Sequence, residues 1–286
     1  MRWNIKLSCV TLILSLTQVY HAQNYTVHNK NKTYLSVVGG MNFSLPKVTD
    51  RYSVLSSNED NFDKEYDKFG KVRGVEFGLR INHYFSNSIA LVVGVGYQSL
   101  GFNYFTNYSW IDTLQNQEFS REMYHQQRIS YFNVPIMAKW DLTKGQLKPF
   151  IQGGVYMDFR HQGKKVIYYD NTIDGEVEEK KNSSSPTVPI TDYTRKFNIG
   201  LIGGVGLNYH TKYFTFGLES NFRFGFNKVM NDENRYADIN GFALQYLDVL
   251  DQLKLSALNV QLSVSVPLNN AVHSNILRKT KYYKRR

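Results

Sequence analysis

The chain has 286 residues, a formal net charge of +10, 15% aromatic residues and a single cysteine. That length suits one domain, and the basicity is local: Arg2 and Lys6 supply +2 and residues 269–286 supply +6, which leaves about +2 for everything between. A chain-wide cationic field is therefore excluded, and no later stretch is apolar for the ~18 residues a membrane helix needs.

Residues 1–22 read as a signal peptide. Arg2 and Lys6 form its basic start, an apolar core too short to span a bilayer follows, and Ala22 precedes the cleavage point, with Tyr20 larger than the ideal residue two places before it. Cys9 opens the apolar core instead of following it, which argues against a lipid anchor. Its removal leaves a mature chain without thiols, which excludes disulfides, thiol catalysis and thiolate metal sites. Residues 23–33 are then a short N-terminal periplasmic segment.

Eight segments with an apolar residue at every second position follow, at 34–43, 73–85, 89–102, 129–140, 149–160, 197–209, 213–226 and 257–268. The gaps between them run roughly 29, 3, 26, 8, 36, 3 and 30 residues, the alternation of long outer loops and tight periplasmic turns found in outer-membrane barrels. The expected fold is all-β, an eight-stranded antiparallel up-and-down transmembrane barrel over 34–268, in contact with outer-membrane lipid and lipopolysaccharide.

Period two assigns the faces. In the second segment Val75, Phe77, Leu79 and Ile81 alternate with Glu76, Gly78, Arg80 and Asn82; in the seventh Phe216, Leu218, Phe222 and Phe224 alternate with Gly217, Glu219, Asn221 and Arg223. A soluble barrel would cover its outer face with Lys and Glu. Here the polar face carries Gly94, Gly96, Gly154, Gly200, Gly204, Gly206 and Gly217, which suits a narrow, crowded interior, so the apolar face meets lipid. The inward set includes Glu76, Asp158 and Glu219 against Arg80, Arg160 and Arg223, expected to brace the lumen as an ion-pair network. Pro135 shares the polar face and removes a ladder hydrogen bond, predicting a bulge or kink; Lys139 lies beyond it toward the periplasm.

Three motifs carry a resemblance. Tyr131 to Lys139 (YFNVPIMAK) resembles the Tyr-Leu-x-Ile-Pro-Leu-x-x-Lys strand of the PorT-like outer-membrane barrels. Lys148 to Gly154 (KPFIQGG) is similar to the Lys-Pro-Tyr-x-x-x-Gly strand that follows it there, and residues 197–207 (FNIGLIGGVGL) to that family's glycine-rich sixth strand. The resemblance spans the second to eighth strands and implies a barrel associated with type IX protein secretion, as the founding member is. The chain departs from barrels that end on an aromatic residue of the last strand, because it continues past Leu268.

Catalytic readings find little support. His28, His83, His125, His161, His210 and His273 show no metal-ligand spacing, and no cofactor is expected. His125 and His161 flank predicted outer loops with Glu122 and Asp158 nearby, which keeps a loop-borne hydrolase or lipid-modifying enzyme as the alternative, with a narrow pore after it. The first loop is acidic, and the loops around Tyr104, Tyr108, Trp110, Tyr236 and Tyr246 are aromatic and polar, a character suited to protein or glycan contact. The tail, with Arg278, Lys279, Lys281, Lys284, Arg285 and Arg286, would emerge in the periplasm, where nucleic acid is absent; it reads first as a solvated, disordered tail, and otherwise as a contact for anionic lipid, peptidoglycan or a periplasmic or secretion-machinery subunit. The function expected is non-enzymatic: an envelope scaffold or secretion-associated component.

Overall fold

The computed structural model describes residues 29–52, 64–67, 72–112, 117–173, 176–177, 183–184, 187–236 and 248–268. The signal segment with Cys9, His28, most of the acidic first loop, Tyr246, and the tail with Arg278, Lys279, Lys281, Lys284, Arg285 and Arg286 lie outside the described residues.

Eight long strands close into a ring: β1 Thr33–Asp50, β2 Arg73–Tyr84, β3 Ile89–Asp112, β4 Gln117–Asp141, β5 Leu147–Ile173, β6 Phe197–His210, β7 Thr215–Gly225 and β8 Gln252–Pro267. Each pairs antiparallel with its neighbour in the chain, and β8 closes on β1 from Tyr34 opposite Pro267 upward. This is the predicted up-and-down barrel. Closure matters because hydrocarbon offers no hydrogen-bond partners to a free ladder edge. The predicted tight turns are self-bonded: the Ser86 hydroxyl accepts from the Ile89 amide at 2.9 Å, and the Thr211 amide donates to the Phe214 carbonyl at 2.8 Å. At the periplasmic mouth residues 29–32 turn back, with Asn31 at φ 58°, and the buried Asn29 accepts from the Tyr34 hydroxyl at 2.9 Å.

The outer face is apolar in a limited band. On β3 Ile89, Leu91, Val93 and Val95 face outward and are exposed, with Tyr97 at the top, while Ala90, Val92 and Gln98 are buried inside. Nine such residues rise about 30 Å along the strand and, tilted by ~40°, fill the ~25 Å apolar band of a membrane barrel. Above Gln98 the alternation continues unbroken, but the apolar side changes: Leu100, Phe102, Tyr104 and Tyr108 are buried inside, with Asn107 and Ser109 exposed outside. On β4 the outward series Phe132, Val134, Ile136, Ala138, Trp140 gives way above to Ser130, Arg128, Gln126 and Glu122, while Ile129 and Met123 turn inward. The solvent outside the wall changes there from hydrocarbon to water.

This explains where the predicted segments stopped short. β3, β4 and β5 have 24, 25 and 27 residues, against the roughly 9–11 that cross a membrane. The outward apolar series ends at the water boundary, whereas the strands run on with the inward one. Aromatic and aliphatic side chains of the extensions, including Tyr104, Ile129, Ile167 and Leu253, pack with Ile190 and Val229 of the connections into a closed core above the membrane.

Pro135 interrupts the ladder without making a bulge. The β3–β4 pairing lapses opposite Val134 and Pro135 and resumes in the same register, and a Cβ at Gly94 would stand 3.4 Å from the Pro135 ring and 2.8 Å from the Arg80 side chain. The bulge lies on β5, where Ser130 opposes Gln162 but Tyr131 opposes Arg160, so His161 is the extra residue. It sends Lys165 inward in place of Lys164, a shift that unbroken alternation could not predict.

Leu218 sits mid-strand on β7 beside Leu262 and Leu207 with its side chain exposed. Leu218→Arg is expected to destabilise the barrel by about 2–4 kcal/mol, the cost of a cation near the bilayer midplane. The heat-induced gel-mobility shift of the folded protein in lipid checks this; an unchanged midpoint would contradict lipid contact at that face.

Candidate functional site

Five of the six predicted inward charges meet in the membrane-spanning lumen. The Arg223 guanidinium donates to Asp158 at 2.8 Å and to Gln98 at 2.6 Å, and lies 3.8 Å from the Tyr156 ring centre. Gln98 and Asn133 complete the Asp158 carboxylate at 2.9 Å each. Lower down, Arg80 donates to Glu219 at 2.7 Å and to Gln261 at 2.6 Å, and Gln152 donates to the other Glu219 oxygen at 2.7 Å. Glu76 accepts from Asn259 at 2.6 Å. Arg160 is placed elsewhere: at the bulge it donates to the Thr191 and Thr194 carbonyls and pins the β5–β6 connection to the wall. Lys139, Asp141 and Lys148 join the lumen instead. Lys148 pairs with Asp141 at 3.7 Å, and the Lys139 ammonium lies 3.8 Å from the Phe150 ring centre.

Glycine makes this filling possible. A Cβ at Gly204 would come within 2.1 Å of the Asn221 amide oxygen, and one at Gly206 within 2.3 Å of the Phe150 ring. Space left between Arg80, Lys139, Gln152 and Glu219 amounts to a cavity of about 20 Å³, enough for about one water and not for a solute.

A second charged cluster sits above the membrane inside the apolar core. Lys64, from the first loop, pairs with Asp248 at 2.9 Å and Asp251 at 3.0 Å, both from the segment before β8. Lys165 of β5 reaches the other Asp248 oxygen, which also accepts from the Tyr104 hydroxyl at 2.6 Å. His125 of β4 stacks on Tyr104 with ring centres 4.5 Å apart, and its Nε2 meets the Thr106 hydroxyl at 2.8 Å. Burial alone would raise the Asp248 carboxyl, but Lys165 and Lys64 override it and hold it well below the usual carboxylate range. Burial brings the Lys165 ammonium down to about 8 against the pull of Asp248. Burial and then Lys165 push His125 well below its ordinary value, so it is neutral at physiological pH.

Thr106, His125 and Asp248 have the order of a hydroxyl, imidazole and carboxylate triad. The geometry does not favour that chemistry: His125 Nδ1 is 3.9 Å from Asp248, all three groups are buried, and the adjacent lysines oppose the imidazolium a general base must become. His161 lies on the outer wall against Phe132, 5.2 Å between ring centres, away from His125. At the rim, a polar cleft of about 680 Å³ is lined by Arg160, Arg195, Lys196, Asp192, Asp232 and Glu233 among others. Charges of both signs line it, and Arg195 is already paired with Asp232 at 3.1 Å. It lacks the apolar lining of a small-molecule site. Among the described residues no group of three or more His, Cys, Asp and Glu could hold a metal.

A family model described as an outer membrane protein beta-barrel domain matches residues 21–231. The chain belongs to this family. The outer membrane beta-barrel family places the protein in the bacterial outer membrane, with the band of exposed Val, Leu, Ile and Phe in its lipid. No curated protein matches the chain. Solved barrels similar to it include OprG of Pseudomonas aeruginosa, at 9% identity and a TM-score of 0.38 over 84% of this chain and 98% of that one. Another is the N-terminal barrel domain of OprF from the same organism, at 10% identity and 0.35 over 84% and 98%. A third is Ail of Yersinia pestis, at 12% identity and 0.28 over 82% and 99%.

Sequence reading missed Lys64, Lys165, Asp248 and Asp251. Lys64 was hidden in an acidic loop, and the Asp248–Asp251 pair in a stretch read only for its tyrosines; the one available signal was two acids beside Val249 and Leu250, which are buried.

Removing Lys64 leaves two buried carboxylates short of a partner. Lys64→Ala is expected to cost about 3–5 kcal/mol of local stability and to open the first loop and the segment before β8 to protease, which limited proteolysis of intact cells measures. For His125 the folded group is neutral while the unfolded one takes up a proton below about 6.5. Its contribution is therefore full above that pH and lost as pH falls, by at most about 1.4 kcal/mol per unit. The unfolding midpoint should drop between pH 7.5 and pH 5.5, and drop less in His125→Gln; equal drops would assign the pH dependence to another group.

Proposed function

We propose that the protein is a non-conducting, non-enzymatic scaffold of the outer membrane that presents a preformed outer surface to a protein partner, in the manner of the PorT-like barrels associated with secretion. The observation that carries this reading is the filled interior. Paired side chains occupy the lumen through Asp158–Arg223 and Glu219–Arg80, and above them Lys64, Tyr104, His125 and Lys165, from four separate pieces of chain, converge on Asp248 inside an apolar core. A solute path would need an open lumen, and a catalyst would need a reachable nucleophile. Rigid strand extensions, by contrast, suit recognition, because little ordering entropy remains to be lost on binding.

The PorT resemblance supports this reading through packing. Lys139 of the first motif lies against Phe150 of the second, and Pro135 sits beside Gly94 of the neighbouring strand. In this chain the motifs pack the lumen of a closed barrel. The secretion role is tested by deleting the gene and comparing secreted proteins, together with pull-down from solubilised outer membranes. Loss of secreted cargo and recovery of secretion-machinery subunits are expected, and an unchanged secreted set would overturn it. In planar bilayers the purified barrel should give no stepwise conductance; stable unitary steps would restore the pore.

A further inference from the structure

One arrangement on the outer wall is explained neither by the lumen nor by the apolar core above it. Arg128 of β4 stands directly opposite Lys164 of β5, both exposed on the outer face. On the far side of the barrel Lys47 of β1 stands opposite Lys254 of β8, and Lys254 is bridged on its other flank to Lys228. Directly opposed residues on one face have Cβ atoms about 4.5–5.5 Å apart, and like charges there are destabilising. Among the described residues, one carboxylate answers these five cations: Asp50, 2.8 Å from Lys228. Lysines often protect sheet edges, but β4 is paired on both flanks at Arg128, and Lys164 is paired with Arg128 and with Pro189.

Height gives the arrangement its meaning. Phe77 stacks on Tyr97 at 5.2 Å, Tyr97 meets Phe132 at 6.2 Å, Phe132 meets His161 at 5.2 Å and Phe159 meets Phe197 at 5.5 Å, all ring-centre distances. This belt marks the outer edge of the hydrocarbon. Arg128 is the second outward residue above Phe132, Lys254 the second above Leu258, Lys47 the first above Leu45 and Arg73 the first above Val75. Each outward step rises about 6.6 Å along the strand. The cations therefore form a collar at the depth of the outer-leaflet headgroups.

We propose that this collar, with Arg128–Lys164 and Lys47–Lys254 as its two grips, binds the phosphate groups of a phosphorylated outer-leaflet glycolipid of the lipid A type. Paired cationic side chains rooted on directly opposed residues can converge on a phosphate with three acceptor oxygens, and the belt beneath holds the acyl chains. The proposal is independent of the secretion role.

The test titrates the full-length barrel, folded in detergent, with lipid A and with the same lipid after dephosphorylation, reading the unfolding midpoint. Lipid A should bind more tightly, and raised salt should erase the difference. Arg128→Gln/Lys164→Gln and Lys47→Gln/Lys254→Gln should each weaken lipid A binding about 25-fold, near five-fold per cation, and leave the dephosphorylated lipid unaffected. Equal affinity of the unmodified protein for the two lipids would overturn the proposal, whether or not a variant folds well. So would unchanged lipid A affinity in both double variants, and displacement of lipid A by equimolar inorganic phosphate would overturn the assignment to a lipid.

Discussion

The wall of this barrel meets two media on its outside, hydrocarbon below and water above, while on its inside the described side chains pack against one another at both levels. A strand that alternates sides at every residue must then carry its apolar side chains outward in one half and inward in the other, with no interruption between them. β3 does so between Tyr97 and Leu100, and β4 between Phe132 and Ile129. The lumen of the lower half is left with the polar positions, so it fills with ion pairs, amides and glycines; the upper half is left with a conventional apolar core. Charges appear in that core where separate chain segments must be held together, around Asp248.

Much of the lower half was legible because lipid imposes a simple rule on one face. The outward series on β2, β3 and β7 and the tight turns at Ser86 and Thr211 follow from it. The inward charges were legible by parity, and Glu76, Arg80, Asp158, Glu219 and Arg223 are where parity put them. Arg160 kept its parity but not its partners, because its strand has by then risen past the lumen network to the level of Thr191 and Thr194. The upper half was less legible for a physical reason: its strands reverse the apolar pattern, and the bulge at His161 changes parity on β5. No local composition signals that Lys64 leaves an acidic loop to enter the core, since the contacts that draw it there lie far away in sequence, at Val249 and Asp251.

The motifs that resemble the PorT-like barrels turn out to be about packing inside a narrow ring. Pro135 interrupts the ladder beside Gly94, which gives its ring room, and Lys139 rests on Phe150. In this chain a proline, a lysine and a glycine at such spacing let eight strands close around long side chains, which bears on the fold more than on function.

The two halves also secure the register of the whole ring. A slip of one residue exchanges the faces of a strand. In an ordinary one-sided sheet that exposes apolar groups to water; here it would do so in the upper half and also place Arg80, Asp158 or Arg223 in hydrocarbon in the lower one. Both media penalise the same slip, so the register of a long strand is held at each end by a different solvent. The His161 bulge shows how the chain departs from that rule without losing it. Below the bulge Asp158 faces inward to Arg223, and above it Lys165 faces inward to Asp248. Without the extra residue Lys164 would enter the core and Lys165 would face out. One inserted residue therefore satisfies the ion pair of the lumen and that of the outer core on a single strand, and it sets Lys164 beside Arg128 on the outer wall.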